Sequence, residues 1–244
     1  MLAKLIFTMS FVLSLASAQF YAPLSAYIAA RVAEYDQIAP PRRAALDSLA
    51  NMLTALDTRP LRLVFICTHN SRRSQLAQIW AQLAAWHYLG PNAPVETYSG
   101  GTEATAFNER AVAALERTGL HVFYISAIPF RDNPNPAYYW SASPKLPGHP
   151  AHSKVYSDTI WNPQQDFVAV MVCSDADEAC PYVPGASLRV ALPYADPKAS
   201  DGTPQEAATY DERCAQIARE MLFLFSLLPA PAPAEATDSP PSTR

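Results

Sequence analysis

A short polar segment that follows the apolar run Leu61–Ile66 has residues suited to binding and attacking an oxyanion. Cys67 and Arg73 are separated by five residues, and Ser74 follows the arginine directly. A turn between a strand end and a helix N-terminus directs successive backbone N–H groups at a tetrahedral anion, and the helix dipole adds positive charge. The same field favours the thiolate of Cys67 near neutral pH. The pattern therefore predicts a cysteine nucleophile in an oxyanion-binding loop.

The other residues of the segment have supporting roles in this prediction. Arg73 can form two hydrogen bonds to one anion, which a lysine could not do as well. Ser74 can hydrogen-bond the thiolate, and Asn70 can hold the loop through its side-chain amide, for example at a left-handed position. A buried strand-end cysteine followed by a solvated arginine pair is the alternative. The predicted oxyanion-binding residues are Thr68, His69, Asn70, Ser71, Arg72 and Arg73.

A carboxyl group is also needed to protonate the leaving oxygen. Asp196 is the best candidate, because Pro197 holds it in an extended conformation in a loop after the last predicted strand. The other reading of Asp196 is a turn residue with no catalytic role. The less favoured candidates are Asp175, Asp177 and Asp201.

Strands and helices that would position these residues alternate along the chain. The predicted strands are Leu61–Ile66, Val95–Ser99, His121–Ser126, Phe167–Cys173 and Leu188–Leu192. The predicted helices are Pro23–Tyr35, Pro41–Leu56, Gln75–Tyr88, Asn108–Thr118 and Pro204–Leu228. The alternation indicates an α/β fold in three layers, a doubly wound parallel four-stranded sheet with helices on both faces, plus an N-terminal helical pair. In such a fold the active site lies beyond the carboxyl ends of the strands.

The first eighteen residues have the layout of a secretory signal peptide. Lys4 precedes an apolar run from Leu5 to Ala16, and Ala16-Ser17-Ala18 forms a small-x-small cleavage site. The run is too short for a permanent membrane anchor. We expect an exported, periplasmic or secreted protein. The alternatives are an apolar N-terminal helix, or a true start at Met9 and a cytoplasmic protein.

The expected organisation has four parts. These are a signal peptide (1–18), an N-terminal helical pair (19–58), a catalytic domain (59–228) with an irregular proline-rich insertion (127–166), and a disordered tail (229–244).

Composition excludes several classes of site. The chain has seven glycines and neither a G-x-x-x-x-G-K-[ST] nor a G-x-G-x-x-G motif, so glycine-built nucleotide sites are excluded. A formal net charge of −4 argues against a nucleic-acid partner. The five histidines have no paired metal spacing. We therefore predict no metal site and no cofactor.

Four segments resemble the low-molecular-weight protein tyrosine phosphatase superfamily, and within it the thioredoxin-coupled arsenate reductases. The resemblance extends from Leu61 to Leu224, about two thirds of the chain. The segments are Cys67-Thr-His-Asn-Ser-Arg-Arg-Ser-Gln75, similar to the signature loop; Tyr98-Ser-Gly-Gly-Thr-Glu103 with Asn108, similar to the second-strand segment; Cys173-Ser-Asp-Ala-Asp-Glu-Ala-Cys180-Pro181, similar to the reductases' redox segment; and Tyr194-Ala-Asp196-Pro197, similar to the general-acid loop.

The resemblance implies an arsenate reductase in which Cys67 attacks arsenate, Cys173 then attacks Cys67, and Cys180 resolves the resulting disulfide. A thioredoxin-like protein would be the reductant. A structural disulfide, or two buried free thiols, is the alternative for Cys173 and Cys180, and Cys214 is expected to be a packed core thiol. A phosphatase acting on phosphotyrosine or a small phosphoester, through a phosphocysteine at Cys67, is the second hypothesis. A non-catalytic oxyanion-binding or redox-partner module is the third.

Overall fold

The computed structural model describes residues 19–56, 58–130, 133–180 and 182–230. The predicted signal peptide (1–18) and residues 231–244 of the predicted tail lie outside them. The helices are α1 (Ala22–Val32), α2 (Pro40–Ala55), α3 (Arg73–Leu89), α4 (Glu109–Arg117), α5 (Ser174–Ala179) and α6 (Glu206–Ser226). The strands are β1 (Leu61–Cys67), β2 (Val95–Gly101), β3 (His121–Phe130), β4 (Asn133–Ser141), β5 (His149–Ala151), β6 (Phe167–Met171) and β7 (Ala186–Ala191). Short 3₁₀ turns cover Tyr35–Gln37 and Pro197–Ser200.

Four parallel strands form the central sheet in the order β2-β1-β6-β7. In β1 every residue except Arg62 is buried, and β6 is buried throughout. Continuous apolar runs of this kind are typical of strands that are covered on both faces. The predicted fold class, a doubly wound parallel four-stranded sheet with an N-terminal helical pair, is confirmed.

The sheet order creates a crevice at the carboxyl ends of β1 and β6. The chain leaves β1 through α3 towards β2, and it leaves β6 through α5 towards β7, which is the opposite direction. Right-handed crossovers then place α3 and α5 on opposite faces of the sheet. The point where the directions diverge is where doubly wound folds bind ligands. Cys67 ends β1 at this point, and Cys173 follows β6.

The N-terminal helical pair packs against the catalytic part of the chain through α6. Both helices begin with proline in the first turn, a position where a missing N–H has no cost. The apolar side of α1 buries Leu24 and Ile28, and that of α2 buries Leu46, Leu49 and Leu53. α1 and α2 both contact α6, and α6 also covers α3, which is buried along almost its whole length.

The predicted third strand, His121–Ser126, was wrongly assigned to the parallel sheet. It belongs to β3, which pairs antiparallel with β4, and β4 pairs with β5 in a second, three-stranded sheet. The prediction of an irregular insertion over 127–166 is corrected as well, since it contains the end of β3 and all of β4 and β5. Pro134 and Pro136 lie two residues apart in β4, in the part that does not pair with β5. Because no second strand pairs with this part of β4 among the described residues, the missing N–H groups of the prolines break no hydrogen bonds on that side.

The remaining differences concern element ends near the sheet's carboxyl edge. The strand predicted over Phe167–Cys173 ends at Met171, because Cys173 turns out of the sheet to become the N-cap of α5. α5 itself was not predicted, since six mostly acidic and small residues carry no apolar periodicity. None of the helices within the described residues is long and apolar enough to span a membrane.

Candidate active site

The loop Cys67–Arg73, termed the anion loop, joins β1 to α3. Asn70 lies in the left-handed region with φ 47°. Each carbonyl oxygen of residues 67 to 71 accepts a hydrogen bond from a donor outside the anion loop. In chain order of the acceptors, the donors are Thr102 N (3.1 Å), Glu103 N (2.9 Å), Ser153 Oγ (2.9 Å), Gln75 Nε2 (3.2 Å) and Asn108 N (2.9 Å). All five carbonyl groups therefore point away from the centre of the loop.

The backbone N–H groups of the loop lack such partners within the described part of the chain. Among the described residues, no acceptor pairs with an N–H group of residues 68 to 72. Successive free N–H groups at a helix N-terminus form a concave site for a tetrahedral oxyanion. The geometry of the predicted oxyanion-binding residues thus suits a phosphate-sized anion.

The nucleophile has a hydroxyl donor beside it. Cys67 Sγ lies 3.0 Å from Ser74 Oγ, and Asn70 Nδ2 donates to the same Ser74 oxygen at 2.8 Å. Because the Asn70 amide occupies an acceptor position on Ser74, the hydroxyl proton is free to point at the sulfur. A hydrogen bond donated to a thiolate is charge-assisted and stabilises it. Asn70 and Ser74 thus act as a pair behind Cys67.

The predicted arginine and the predicted general acid are in direct contact. Arg73 Nη2 donates to Asp196 Oδ2 at 2.7 Å, and Arg73 Nη1 donates to Tyr194 O at 3.0 Å. Asp196 Oδ1 also accepts from Lys198 N at 3.0 Å, so the carboxylate is fixed at the start of a 3₁₀ turn. The Arg73 side chain keeps N–H donors that neither contact uses. Asp196 and Arg73 therefore stand together at the mouth of the anion loop.

Two residues of the anion loop turn their side chains away from its centre. Arg72 Nε donates to the Tyr210 hydroxyl at 2.7 Å, and its Nη2 lies 3.4 Å from Asp201 Oδ2. His69 Nε2 lies 2.8 Å from Glu103 Oε1 in an exposed pair. Only the backbone of these two residues faces the anion position. Asp201, considered above as a general acid, serves instead as a partner of Arg72.

A second thiol lies next to the anion loop. Cys173 is fully buried, and its Sγ lies 3.6 Å from Thr68 Oγ1, on the residue that follows the nucleophile. Cys180 is partly exposed at the other end of α5. Cys214 is buried on α6, where burial raises the pKa of its thiol to about 12 and Trp80 Nε1 donates to it at 3.2 Å. All four thiols are free.

The insertion supplies part of the site, which the sequence did not indicate. Ser153 links the three-stranded sheet to the loop: its N–H donates to Asn135 Oδ1 at 3.2 Å and its hydroxyl to His69 O at 2.9 Å. Lys154 N donates to Asn70 Oδ1 at 2.9 Å, and Gly101 N donates to Lys154 O at 2.9 Å. The segment thus lies between the anion loop and the end of β2. Polar residues in a proline-rich stretch gave no signal of this role.

Lys154 is a buried cation next to this contact. Its Nζ donates to His152 O at 3.5 Å, a carbonyl that also accepts from Gln75 Nε2 at 2.8 Å. Burial lowers the pKa of Lys154 to about 8, although the Asp158 carboxylate acts in the opposite direction. Burial and the charge of Lys154 also lower the pKa of His152, to about 4. No salt bridge involves Lys154 in the part of the chain that is described.

Comparison with known proteins places the chain in a family. No family model matches it. It is 29% identical to an arsenate reductase of Bacillus subtilis over 151 residues, which is 62% of this chain and 84% of that protein. It is 30% identical to the arsenate reductase of Halalkalibacterium halodurans over 146 residues, which is 59% of this chain and 79% of that protein. The chain belongs to the arsenate reductase family.

A solved structure described as an arsenate reductase in the phosphate binding state aligns with this family member at a TM-score of 0.43 and 16% identity, over 68% of this chain and 97% of that one. The curated relatives are enzymes, and the chain is an enzyme of the same family. Within its described residues, no group of three or more His, Cys, Asp or Glu side chains is arranged to hold a metal ion.

The Ser74 hydroxyl gives the first prediction for this arsenate reductase family member. We expect Ser74→Ala to slow alkylation of Cys67 by iodoacetate at pH 7 about tenfold or more, because a hydrogen bond to a charged group contributes about 1.5–3 kcal/mol. Ser71→Ala, in the same loop, serves as the control and should change the rate less than twofold. Equal rates for the two variants would show that the Ser74 hydroxyl does not stabilise the thiolate.

Lys154 gives a second prediction, for stability. Its pKa is lowered from 10.5 to about 8 in the folded chain. Between these two pH values, Lys154 is protonated in the unfolded chain and has lost its proton in the folded chain. The free energy of unfolding therefore rises as the pH increases through this interval. Below the interval, burial of the charged Lys154 lowers the free energy of unfolding. Lys154→Met removes the cost of burying the charge, so it should raise the free energy of unfolding at pH 7, by roughly 1.4 kcal/mol for each unit of pKa depression.

Urea unfolding at pH 7 and pH 10 measures this effect. The gain of Lys154→Met over the unmodified protein should shrink at pH 10, while Lys145→Met, at an exposed lysine, should change little at either pH. A gain that is the same at both pH values would contradict the assignment of a buried, charged Lys154.

Proposed function

We propose that this enzyme reduces arsenate through a thiol cascade of Cys67, Cys173 and Cys180. The observation that carries the proposal is the position of Cys173, whose buried sulfur lies 3.6 Å from the Thr68 hydroxyl beside the nucleophile. A phosphatase has no use for a second thiol at this position. The names of the relatives, which are arsenate reductases, support the same substrate.

The first step uses the anion loop. Arsenate enters the loop, and the Cys67 thiolate attacks arsenic to form a sulfur–arsenic bond. One oxygen leaves as water, with a proton that Asp196 supplies. The free N–H groups of the loop and the remaining donors of Arg73 stabilise the negative charge during this transfer. Because Asp196 and Arg73 are already in contact, both groups reach the same oxygen atoms.

The second and third steps transfer electrons. The Cys173 thiolate attacks Cys67 Sγ, a disulfide forms, and the electron pair of the broken sulfur–arsenic bond stays on arsenic, so arsenate is reduced to arsenite. Two thiols supply the two electrons. Cys180 then attacks Cys173 Sγ, which releases the Cys67 thiolate and leaves a Cys173–Cys180 disulfide. A thioredoxin-like dithiol protein, acting as the reductant, restores both thiols.

The third step requires a change in α5. Cys173 is the N-cap and Cys180 the C-cap of this helix, so at 1.5 Å per residue their Cα atoms are roughly 10 Å apart. A disulfide needs Cα atoms about 4.4–6.8 Å apart. α5 must therefore unwind when the redox pair forms. Unwinding would allow the partly exposed Cys180 to approach Cys173.

Phosphomonoester hydrolysis is the second candidate, favoured by the Arg73–Asp196 contact. Cys67 would form a phosphocysteine, Asp196 would protonate the leaving group, and water would then release phosphate. This reaction needs no electrons and no second thiol. The third candidate, a non-catalytic oxyanion-binding or redox-partner module, would use the same loop without turnover.

The two leading candidates respond differently to loss of Cys180. We expect Cys180→Ser to stop multiple-turnover reduction of arsenate with thioredoxin and to leave hydrolysis of an aryl phosphate unchanged, because only the cascade needs the resolving thiol. Cys214→Ala, which removes a core thiol far from the cascade in sequence, should retain both activities. Cys67→Ser should lose both.

The outcomes separate the candidates. Unchanged arsenate turnover in Cys180→Ser would overturn the cascade. Aryl phosphate hydrolysis without any arsenate reduction in the unmodified protein would favour the phosphatase, and the absence of both activities would favour the binding module.

We also propose that the protein is exported, so that its reductant is a periplasmic or secreted thioredoxin-like protein. Support comes from the signal-peptide layout of residues 1–18 alone. Mass spectrometry of the protein from its native host should find a mature N-terminus at Gln19. An intact Met1 or a start at Met9 would contradict export and favour a cytoplasmic enzyme.

A further inference from the structure

One arginine of α2 contacts the segment that holds the catalytic arginine in place. Arg42 Nε donates to Glu220 Oε2 on α6 at 2.8 Å. Its guanidinium lies over the ring of Tyr194, 4.5 Å from the centroid, and its Nη2 lies 3.5 Å from Leu192 O. A single side chain of the N-terminal helical pair thus joins α6 to the segment Leu192–Asp196, termed the acid segment.

The acid segment is fixed to the sheet on its other side. Leu192 N donates to Met171 O at 2.8 Å, and Tyr194 N donates to Val172 O at 3.1 Å. The carbonyl of Tyr194 then accepts the hydrogen bond from Arg73 Nη1 at 3.0 Å. Tyr194 therefore has Arg42 on its ring and Arg73 on its backbone. A shift of the whole Tyr194 residue would therefore also shift the carbonyl that anchors the Arg73 guanidinium.

The contacts of Arg42 with Glu220 and Tyr194 hold Tyr194 in place. The Glu220 side chain is 3% exposed and the Arg42 side chain 19% exposed, so their ion pair is largely shielded from water. Burial raises the pKa of Tyr194 well above its usual value of 10.0, which keeps the phenol neutral. A neutral ring beneath a guanidinium gives a favourable cation–π contact. A guanidinium over the ring that also donates through Nε is a combination that lysine cannot reproduce.

We propose that Arg42 is a positioning residue of the active site, which orients Arg73 for the bound anion through Tyr194. The N-terminal helical pair is then part of the catalytic unit and more than a covering for α6. This inference rests on the part of the proposed function in which Arg73 binds an oxyanion. It is independent of whether that oxyanion is arsenate or a phosphate ester.

The chain contains a matched control next to Arg42. Arg43 is on the same helix, stacks over Phe223 at 4.8 Å from the ring centroid, and donates through Nη2 to Tyr35 O at 3.0 Å. Its hydrogen bonds among the described residues do not reach the acid segment. Arg42→Met and Arg43→Met therefore remove the same kind of cation–π contact, but only the first is connected to Arg73.

The experiment measures affinity for inorganic phosphate by its protection of Cys67 against iodoacetate, together with kcat and KM for the substrate the enzyme turns over. We expect Arg42→Met to weaken phosphate protection and lower kcat/KM roughly ten- to hundredfold, since misplacing a catalytic group by about 1 Å can cost a factor of 100. Arg43→Met should change both less than threefold. Thermal unfolding of both variants shows whether they lose stability to a similar extent.

A double-mutant cycle tests the route through Arg73. Once Arg73→Lys has removed the bidentate donor, adding Arg42→Met should weaken phosphate protection by less than threefold more. Additive losses in the cycle, or equal losses in Arg42→Met and Arg43→Met, would overturn the proposal. If Arg42→Met does not fold, Arg42→Lys can be compared with Arg43→Met in the same way. This variant keeps a positive charge opposite Glu220 but removes the guanidinium over the Tyr194 ring.

Failure of this inference is distinguishable from failure of the proposed function. If phosphate does not protect Cys67 in the unmodified protein, the anion loop does not bind oxyanions and the proposed function fails. If phosphate protects the unmodified protein and Arg42→Met equally, only the positioning role of Arg42 fails.

Discussion

The anion loop can present its N–H groups to an oxyanion only if its carbonyl groups are satisfied somewhere else. Turning the N–H groups inward forces the carbonyl oxygens outward into the protein, where an unpaired one costs about 1–3 kcal/mol. Their donors come from the first turn of α3, from the connection between β2 and α4, and from the insertion. The shape of the catalytic loop is therefore a property of these three surrounding segments as much as of residues 67 to 73.

The anion loop is also closely packed against the backbone of the surrounding segments. A Cβ atom on Gly101 would lie 2.2 Å from Glu103 O and 2.8 Å from Asn70 N, and one on Gly100 would lie 2.3 Å from Tyr156 Cα. Glycine is thus required where β2 passes between the anion loop and the insertion. The chain has few glycines, and two of them serve this contact, although neither belongs to a phosphate-binding motif. The insertion, through Tyr156, fills the space beside Gly100, and the backbones of Glu103 and the anion loop fill the space beside Gly101.

The sequence predicted the parts of the site that depend on local chemistry. Cys67, Asn70, Arg73 and Ser74 lie within eight residues, and a strand before and a helix after them are enough to bring them together. The same local reasoning placed β1 and β6, whose apolar runs are nearly continuous. It did not place β3, because an apolar run looks the same whether its partner is a parallel strand or the next strand of a hairpin.

Residues that act across long separations had no such signal. Arg42 is 152 positions from Tyr194, and Ser153 is 84 positions from His69, whose carbonyl it holds. An arginine at the start of a helix and a serine in a proline-rich segment have ordinary surface roles in most chains. Their roles here follow from tertiary packing alone. The start of α2 lies beside the segment that follows β7, and the insertion lies beside the anion loop and the end of β2.

In the proposed reduction, α5 and the redox disulfide compete for one sulfur atom. Cys173 Sγ accepts a hydrogen bond from Ala176 N at 3.3 Å and so caps the helix that separates it from Cys180. A helix of this length has little stability of its own, and Arg189 holds it through Asp177 O at 2.6 Å and Cys180 O at 2.8 Å. The helix is therefore stable enough to keep the resolving thiol away from Cys173 while arsenate binds. Because α5 is short, the free energy gained from one disulfide can offset the free energy lost when the helix unwinds.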